Sequence, residues 1–182
     1  TAPTRAELLK HCGLTRPTLY RIIASLEADG LIEATVDNRY RLGGKLVSLA
    51  RQALAQNDVR KIAEPSLARL RDATGETVHL AIRTGEELVY IDKIESREVV
   101  RMASTVGTRV SFHSSSVGKA FLSALSPPHA NRLIDQMTLS KITSFTTTDR
   151  ATLQKTVKQA RAAGFVCDNQ ENEIGIVCFG AA

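Results

Sequence analysis

Apolar residues recur at helical spacing near the start of the chain. One stretch places them at positions i, i+3, i+4 and i+7, the spacing of a single helix face: Leu19, Ile22, Ile23 and Leu26. Ahead of that stretch, Thr4 and Glu7 fit the capping-box pattern that opens a helix. Gly13 stands between the two segments, where a tight turn is needed. The pattern therefore predicts two short helices joined by a glycine turn.

The other face of the second predicted helix is basic and rich in hydroxyl groups. This face carries Arg16, Thr18, Tyr20, Arg21 and Ser25. Such side chains can donate hydrogen bonds to phosphates and to base edges in a major groove. Residues 31–36 and 39–42 then predict a hairpin, in which Arg39 and Arg41 flank Tyr40 and point away from the core. This order predicts a winged helix-turn-helix. A helical hairpin with a solvated polar face remains the alternative.

Residues 44–75 have a helical period with two interruptions. A polar group at 56–58 divides the pattern, Pro65 is expected to break or kink it, and Gly75 is expected to end it. A helix face of leucine and small residues is typical of a dimer interface, and it also suits packing onto the same domain.

The remainder alternates between strand-like and helical runs. Strands are predicted at 76–83, 88–94 and 99–106, and again at 165–167 and 174–179. Helices are predicted after the serine cluster at 114–116, after Pro127, and after Asp149 as far as Gly164. The order predicts an antiparallel sheet flanked by helices, which is an α+β domain.

Composition narrows the classes of protein. Lys and Arg number 24 against 19 Asp and Glu, a formal charge of +5, and residues 1–26 are locally basic, which suits a nucleic-acid partner. There is no apolar run of membrane-spanning length and no basic-then-apolar leader, so a cytoplasmic location is expected. The three cysteines form no CxxC pair, and the four histidines have no ligand spacing, so neither a metal nor a cofactor is indicated.

Two groups of residues in the second half of the chain bear on its chemistry. Gly118-Lys119 is not a phosphate-binding loop, because His113 and Ala120 stand where that motif needs Gly and Ser or Thr. The serines ahead of it predict an anion site at a helix N-terminus, or caps alone. A cysteine enzyme with Cys178 as nucleophile, His113 as base and Asp168 as orienting group is the alternative function, although a thiol in so apolar a run is usually inert.

Several motifs occur along the chain. The N-terminal ones are Thr15-Arg-Pro-Thr-Leu-Tyr-Arg-Ile-Ile and Arg39-Tyr-Arg-Leu-Gly; the later ones are Thr74-Gly-Glu-Thr-Val, Gly118-Lys-Ala-Phe-Leu and the spaced series Gly164, Asp168, Glu171, Gly175 and Cys178. Together they resemble the motifs of IclR-type transcriptional regulators. The resemblance implies a winged helix-turn-helix at 1–43, a linker helix at 44–58 and a GAF-like effector-binding domain at 59–182. It also implies a helix preceding Thr1 and a strand following Ala182.

The resemblance also implies two sets of functional residues. The DNA contacts would be Arg16, Pro17, Thr18, Tyr20, Arg21, Ser25, Arg39 and Arg41. The effector contacts would be Ser116 and Val117 in the pocket loop, Asp168 and Cys178 as polar groups, and Met102 and Val106 in the apolar wall. The serine loop departs from the small residues frequent in the family and suggests a tighter, more polar pocket.

The expected function is a homodimeric or homotetrameric regulator that binds a pseudopalindromic double-stranded DNA operator. A small organic-acid effector would modulate it from the C-terminal domain, and no catalysis is expected. A ligand-binding module without DNA activity is a further alternative.

Overall fold

The computed structural model describes residues 2–85, 87–98 and 104–182. The chain forms two compact units, unit 1 (Thr1–Ile62) and unit 2 (Ala63–Ala182). Among the described residues, no helix is both long enough and apolar enough to cross a membrane.

Unit 1 begins with two helices, α1 (Arg5–Cys12) and α2 (Arg16–Ala28). The predicted capping box is present at α1, where Thr4 Oγ1 accepts from the Glu7 amide and the Glu7 carboxylate accepts from the Thr4 amide. Gly13 ends α1 in the left-handed conformation with φ 62°, which glycine adopts without a Cβ penalty. The predicted helix, turn and helix are therefore confirmed.

A hairpin follows, made of β1 (Ile32–Ala34) and β2 (Tyr40–Leu42). Its tyrosine, Tyr40, is buried together with two residues of α2, Leu19 and Ile23. Ile22, predicted on the same apolar stripe, is instead 40% exposed. The stripe is therefore narrower than the spacing predicts, because the short hairpin and α1 cover only part of the helix face.

Two helices follow, α3 (Lys45–Ala55) and α4 (Asp58–Thr74), and the boundary between the units falls within α4. Their separation at Gln56 and Asn57 agrees with the predicted polar interruption. Pro65 was expected to break or kink this segment, and a break is excluded because α4 runs through that residue. Helix α4 ends at Thr74, and Gly75 follows with φ 77°.

Unit 2 contains two antiparallel ladders and three further helices. One ladder has the order β3 (Val78–Thr84), β4 (Glu87–Ile94) and β5 (Arg109–Val110), and the other pairs β6 (Val166–Asn169) with β7 (Val177–Gly180). The strand predicted at 99–106 is not seen at 104–106, and 99–103 lie outside the described residues. The α+β class is confirmed, and its strands form two ladders in the described chain.

The helices of unit 2 are α5 (Ser116–Ala124), α6 (Pro127–Gln136) and α7 (Arg150–Ala163). They enclose the main apolar core, which consists of Leu122, Ala130, Ile134, Leu153 and Val157. Helix α5 also packs against β6 and β7. This packing places the N-terminus of α5 beside the late strands.

Candidate functional site

The β6–β7 ladder brings together residues that are ten positions apart in the chain. Its register sets Asp168 directly opposite Cys178. A Cβ added at Gly180 would lie 2.5 Å from the Ser116 carbonyl oxygen, so the β7 backbone lies against the start of α5. Three of the predicted effector residues, Ser116, Asp168 and Cys178, therefore converge, and Val117 lies beside them in the first turn of α5.

The start of α5 presents backbone donors at this point. Ser115 is the N-cap residue, and its Oγ accepts from the Gly118 amide at 3.0 Å. The Lys119 amide donates to the Ser115 carbonyl at 3.1 Å. Within the described part of the chain, the amides of Ser116 and Val117 have no hydrogen-bond partner. Two free amides at the positive end of a helix dipole can bind a carboxylate.

Asp168 is buried and bonded to the turn that follows β6. Its Oδ1 accepts from the Glu171 amide at 2.8 Å. Burial raises the pKa of the Asp168 carboxyl, while the amides of Glu171 and Asn172 and the charge of Lys119 act in the opposite direction. The carboxylate is thus both a structural acceptor and a polar group at the candidate site.

Tyr90 on β4 lies near the same site, although its sequence context does not mark it. Burial raises the pKa of Tyr90 to about 12, and the nearby Cys178 and Asp168 contribute to this rise. The tyrosine ring lies 4.6 Å, between centroids, from the ring of His79 on β3. His79 Nε2 is 2.6 Å from Ser104 Oγ. Only the pairing of β3 with β4 reveals this aromatic pair, since each residue sits alone in an apolar run.

His79 gives the stability of unit 2 a pH dependence of definite sign. Burial and nearby Lys93 lower the pKa of His79 to about 4, from an ordinary value of 6.5. As pH falls below 6.5, the unfolded chain binds a proton that the folded chain binds only near pH 4. We expect the free energy of unfolding to fall by about 1–2 kcal/mol across that window, after allowance for partial exposure.

Urea denaturation at the two ends of this pH window measures the loss. The variant His79→Asn should show a smaller loss than the parent chain. The matched variant His129→Asn, on α6, should retain the full loss. An equal loss in the parent chain and in His79→Asn would contradict the assignment.

Two predicted effector residues remain, Met102 and Val106. Met102 lies outside the described residues. Val106 is in the turn before Gly107, and its side chain is 42% exposed. The Gly107 amide donates to the Tyr90 carbonyl at 2.8 Å, so this turn adjoins β4.

The residues proposed for cysteine catalysis are not arranged for it. Burial raises the pKa of the Cys178 thiol to about 11, with Asp168 contributing, so the thiol is protonated at neutral pH. His113 bonds to Ser111 Oγ through Nδ1 and to the Ser140 carbonyl through Nε2, each at 2.9 Å. Among the described residues, no hydrogen bond joins His113 to Cys178. The geometry therefore lacks the thiolate and base that the reaction needs.

A separate cavity of about 360 Å³ lies beside β5. It is lined by Glu87, Arg109, Val110, Ser111, Phe112, His113, Met137, Thr138, Ser140 and Ile142. None of these residues belongs to the predicted effector set. The free amides of Ser116 and Val117 and the pairing of Asp168 with Cys178 favour the start of α5, and not this cavity, as the candidate effector site.

In unit 1, the polar face of α2 is open to solvent as predicted. The exposed candidates are Arg16, Pro17, Tyr20, Arg21 and Ser25, while Thr18 is partly buried. Thr18 Oγ1 is 2.9 Å from Thr15 Oγ1. The face thus presents two guanidinium groups and a phenol.

The two hairpin arginines both have partners within the chain. Arg41 donates to Glu33 Oε2 at 2.9 and 3.2 Å, across the β1–β2 pair. Arg39 Nη1 donates to the Ala2 carbonyl at 2.8 Å and lies 3.5 Å from Glu7 Oε2. Such exposed ion pairs contribute about 0–1 kcal/mol, so a phosphate can compete for either arginine.

Arg5 is a basic residue of this surface that was not among the predicted contacts. Its guanidinium carbon lies 5.2 Å from the Tyr20 ring centroid and 5.5 Å from that of Tyr40, and its Nε donates to Tyr40 Oη. The guanidinium carbon of Arg16 lies 5.5 Å from the Tyr20 ring centroid. Tyr20 therefore lies between two cations. The capping box indicates where α1 starts, but it does not indicate where the Arg5 side chain goes.

The chain thus combines a helix pair and hairpin with an α+β unit in which a helix N-terminus lies beside a two-stranded ladder. The family described as "Bacterial transcriptional regulator IclR C-terminal" matches residues 51–182. The chain belongs to the IclR family.

Individual relatives agree with this assignment. The HTH-type transcriptional regulator XynR of Escherichia coli K12 is 33% identical over 173 residues, covering 94% of this chain and 69% of XynR. The crystal structure of Thermotoga maritima IclR is 31% identical, with a TM-score of 0.72, covering all of this chain and 73% of that one. The chain spans 61–69% of the length of the first curated relatives it matches.

One similar structure contains a ligand. An IclR homologue from Microbacterium hydrocarbonoxydans, complexed with 4-hydroxybenzoate, is 24% identical with a TM-score of 0.76. The match covers all of this chain and 75% of the homologue's chain. At this identity the likeness shows the fold.

Proposed function

We propose that this chain is a DNA-binding transcriptional regulator whose operator affinity changes when unit 2 binds a small organic acid. The proposal is carried by the match of residues 51–182 to the IclR C-terminal family, on the same chain as α2, whose exposed face is basic. Coupling between such sites is typically worth about 1–3 kcal/mol.

Residues 1–43 would act as a winged helix-turn-helix. Helix α2 would lie in the major groove, with Arg16, Pro17, Thr18, Tyr20, Arg21 and Ser25 at the DNA. The hairpin would be the wing, with Arg39 and Arg41 exchanging their carboxylate and carbonyl partners for phosphates. Arg5 would add a cation beside Tyr20.

Residues 44–58 would be the linker and 59–182 the effector domain. Helices α3 and α4 carry exposed apolar side chains, among them Val47, Leu49, Val59, Ile62 and Leu70. A second copy would cover part of this surface. A homodimer or homotetramer would in turn match the two half-sites of a pseudopalindromic operator.

The chemistry of the candidate site favours a hydroxylated organic acid. The ligand's carboxylate would accept from the amides of Ser116 and Val117. Its hydroxyl would donate to Asp168, with the neutral Tyr90 and Cys178 beside it. The 4-hydroxybenzoate bound by the Microbacterium homologue carries both groups.

Replacing Arg21 with alanine should weaken operator binding by about tenfold or more, because one exposed cation of α2 is lost. The operator would be selected from a random duplex library by the parent chain, and affinity would be measured by gel shift across a salt series. If Arg21 contacts a phosphate, the salt slope should fall by about one.

The matched control is Arg132→Ala, which removes the same charge from an exposed position on α6. It should leave operator affinity unchanged. Equal affinity of Arg21→Ala and the parent chain would remove α2 from the reading role. Failure of the parent chain to select any duplex would contradict the DNA-binding proposal itself.

The effector proposal is tested by thermal unfolding in the presence of hydroxylated carboxylates, starting with 4-hydroxybenzoate. A ligand at about 100 times its Kd stabilises the folded state by about 2.7 kcal/mol. The uncharged analogue 4-hydroxybenzamide should give a much smaller shift, since it offers no carboxylate to the α5 amides. Equal shifts with the acid and the amide would argue against this mode of binding.

A further inference from the structure

The side chain of Lys119 is buried in unit 2. Lys119 follows Gly118, and the two residues are not part of a phosphate-binding loop. Its side chain is 1% exposed, and its ammonium pairs with the Glu171 carboxylate, which is 14% exposed. The two residues are 52 positions apart in the chain. Moving two charges out of water is costly, so such a pair persists only where further hydrogen bonds satisfy it.

Glu171 has those further bonds. Its Oε2 accepts from the Thr147 amide at 3.3 Å, and its carbonyl accepts from Thr146 Oγ1 at 2.6 Å. Its own amide donates to Asp168 Oδ1 at 2.8 Å. One residue thus connects the buried lysine of α5 to the carboxylate at the candidate effector site.

The residues on either side of Glu171 are anchored as well. Thr143 Oγ1 donates to the Gln170 carbonyl at 2.7 Å, and Ser114 Oγ donates to Asn172 Oδ1 at 3.1 Å. Gln170 has φ 62°, a left-handed conformation that is uncommon outside glycine. The turn after β6 is therefore held in one conformation by contacts to α5, to the loop before it and to residues 143–147.

We propose that Lys119 is a positioning residue: through its ion pair with Glu171 it holds the turn amides around Asp168 and so sets where that carboxylate stands at the start of α5. The relevance to an effector rests on the proposed function. The positioning itself can be measured without any ligand.

The charged and titratable groups that influence Asp168 allow a directional test. The amide of Glu171 and the charge of Lys119 lower the pKa of Asp168, and the smaller effect of the Glu171 charge raises it. Asp168 also interacts electrostatically with Cys178, Cys167 and Tyr90. The pKa of Asp168 would be followed by carboxyl ¹³C NMR titration of the full chain.

The variant Lys119→Met should raise the pKa of Asp168, because it removes a nearby positive charge and releases the amides that bond to the carboxylate. Glu171→Gln breaks the same ion pair, and loss of the Glu171 amide bond should outweigh loss of the Glu171 charge, so the pKa should rise there as well. A pair that acted through charge alone would instead raise the pKa in Lys119→Met and lower it in Glu171→Gln. A folded Lys119→Met chain with an unchanged or lowered pKa would overturn the proposal. If Lys119→Met does not fold, an unchanged or lowered pKa in Glu171→Gln decides against it.

Amide exchange supplies a second readout. The Glu171 amide should exchange about tenfold faster in Lys119→Met, because its acceptor is no longer held in place. The control Lys155→Met, an exposed lysine of α7, should change neither exchange nor the pKa of Asp168. Unchanged exchange in Lys119→Met would likewise overturn the proposal.

Binding of 4-hydroxybenzoate separates the two proposals. If it binds, Lys119→Met should weaken it. If neither it nor any other hydroxylated carboxylate of the series binds the parent chain, the effector class is contradicted, while the titration and exchange results still decide the role of Lys119.

Discussion

Replacing Gly118 with alanine is expected to destabilise unit 2 by about 2 kcal/mol or more. The added Cβ would lie 2.3 Å from the Ser111 carbonyl oxygen and 2.4 Å from the Phe112 Cα. Both are backbone atoms, so α5 must move away from the loop. Alanine gains about 1 kcal/mol over glycine in helix propensity, which is too little to offset that displacement. The same movement would shift Ser116 and Val117, so ligand binding should weaken as well.

Urea denaturation of the full chain measures this loss. Gly44→Ala is the matched control, since nothing lies within 4 Å of its added Cβ, and we expect a change within about 0.5 kcal/mol. If Gly118→Ala were as stable as Gly44→Ala, the close approach of α5 to residues 111–112 would be wrong.

Replacing Ile23 with alanine should remove most DNA binding by unfolding unit 1. The side chain is 3% exposed and packs with Leu19 and Tyr40, so its truncation should cost about 2–4 kcal/mol. A core of this size supplies little stability to spare. Gel shift with the selected operator and amide exchange of Leu19 would report the loss.

The neighbouring variant Ile22→Ala provides the control. Ile22 is 40% exposed, so the same truncation should cost less than about 1 kcal/mol. Similar losses of Leu19 protection in the two variants would contradict the burial pattern of α2. A loss of operator affinity in Ile22→Ala without loss of protection would instead place Ile22 at the DNA.

The effector residues illustrate what a motif can and cannot show. The family resemblance assigned Asp168 and Cys178 to polar positions of the pocket, although the predicted strand at 165–167 stopped one residue short of Asp168. The β6–β7 register sets the two residues opposite each other. No motif marks Tyr90 or His79, since each is flanked by apolar residues in its strand. A strand's register depends on its partner, and a one-residue slip would turn every side chain to the other face.

Local sequence determined the features that depend on bonds within about four residues. The Thr4 capping box, the left-handed Gly13 and the serine N-cap of α5 all follow from it. Tertiary structure alone decided the destinations of charged side chains. Lys119 pairs with Glu171, which is 52 positions away in the chain, and Arg41 pairs with Glu33 across the hairpin. These pairings depend on which elements meet, because a long side chain bonds to whatever acceptor the fold brings within its reach.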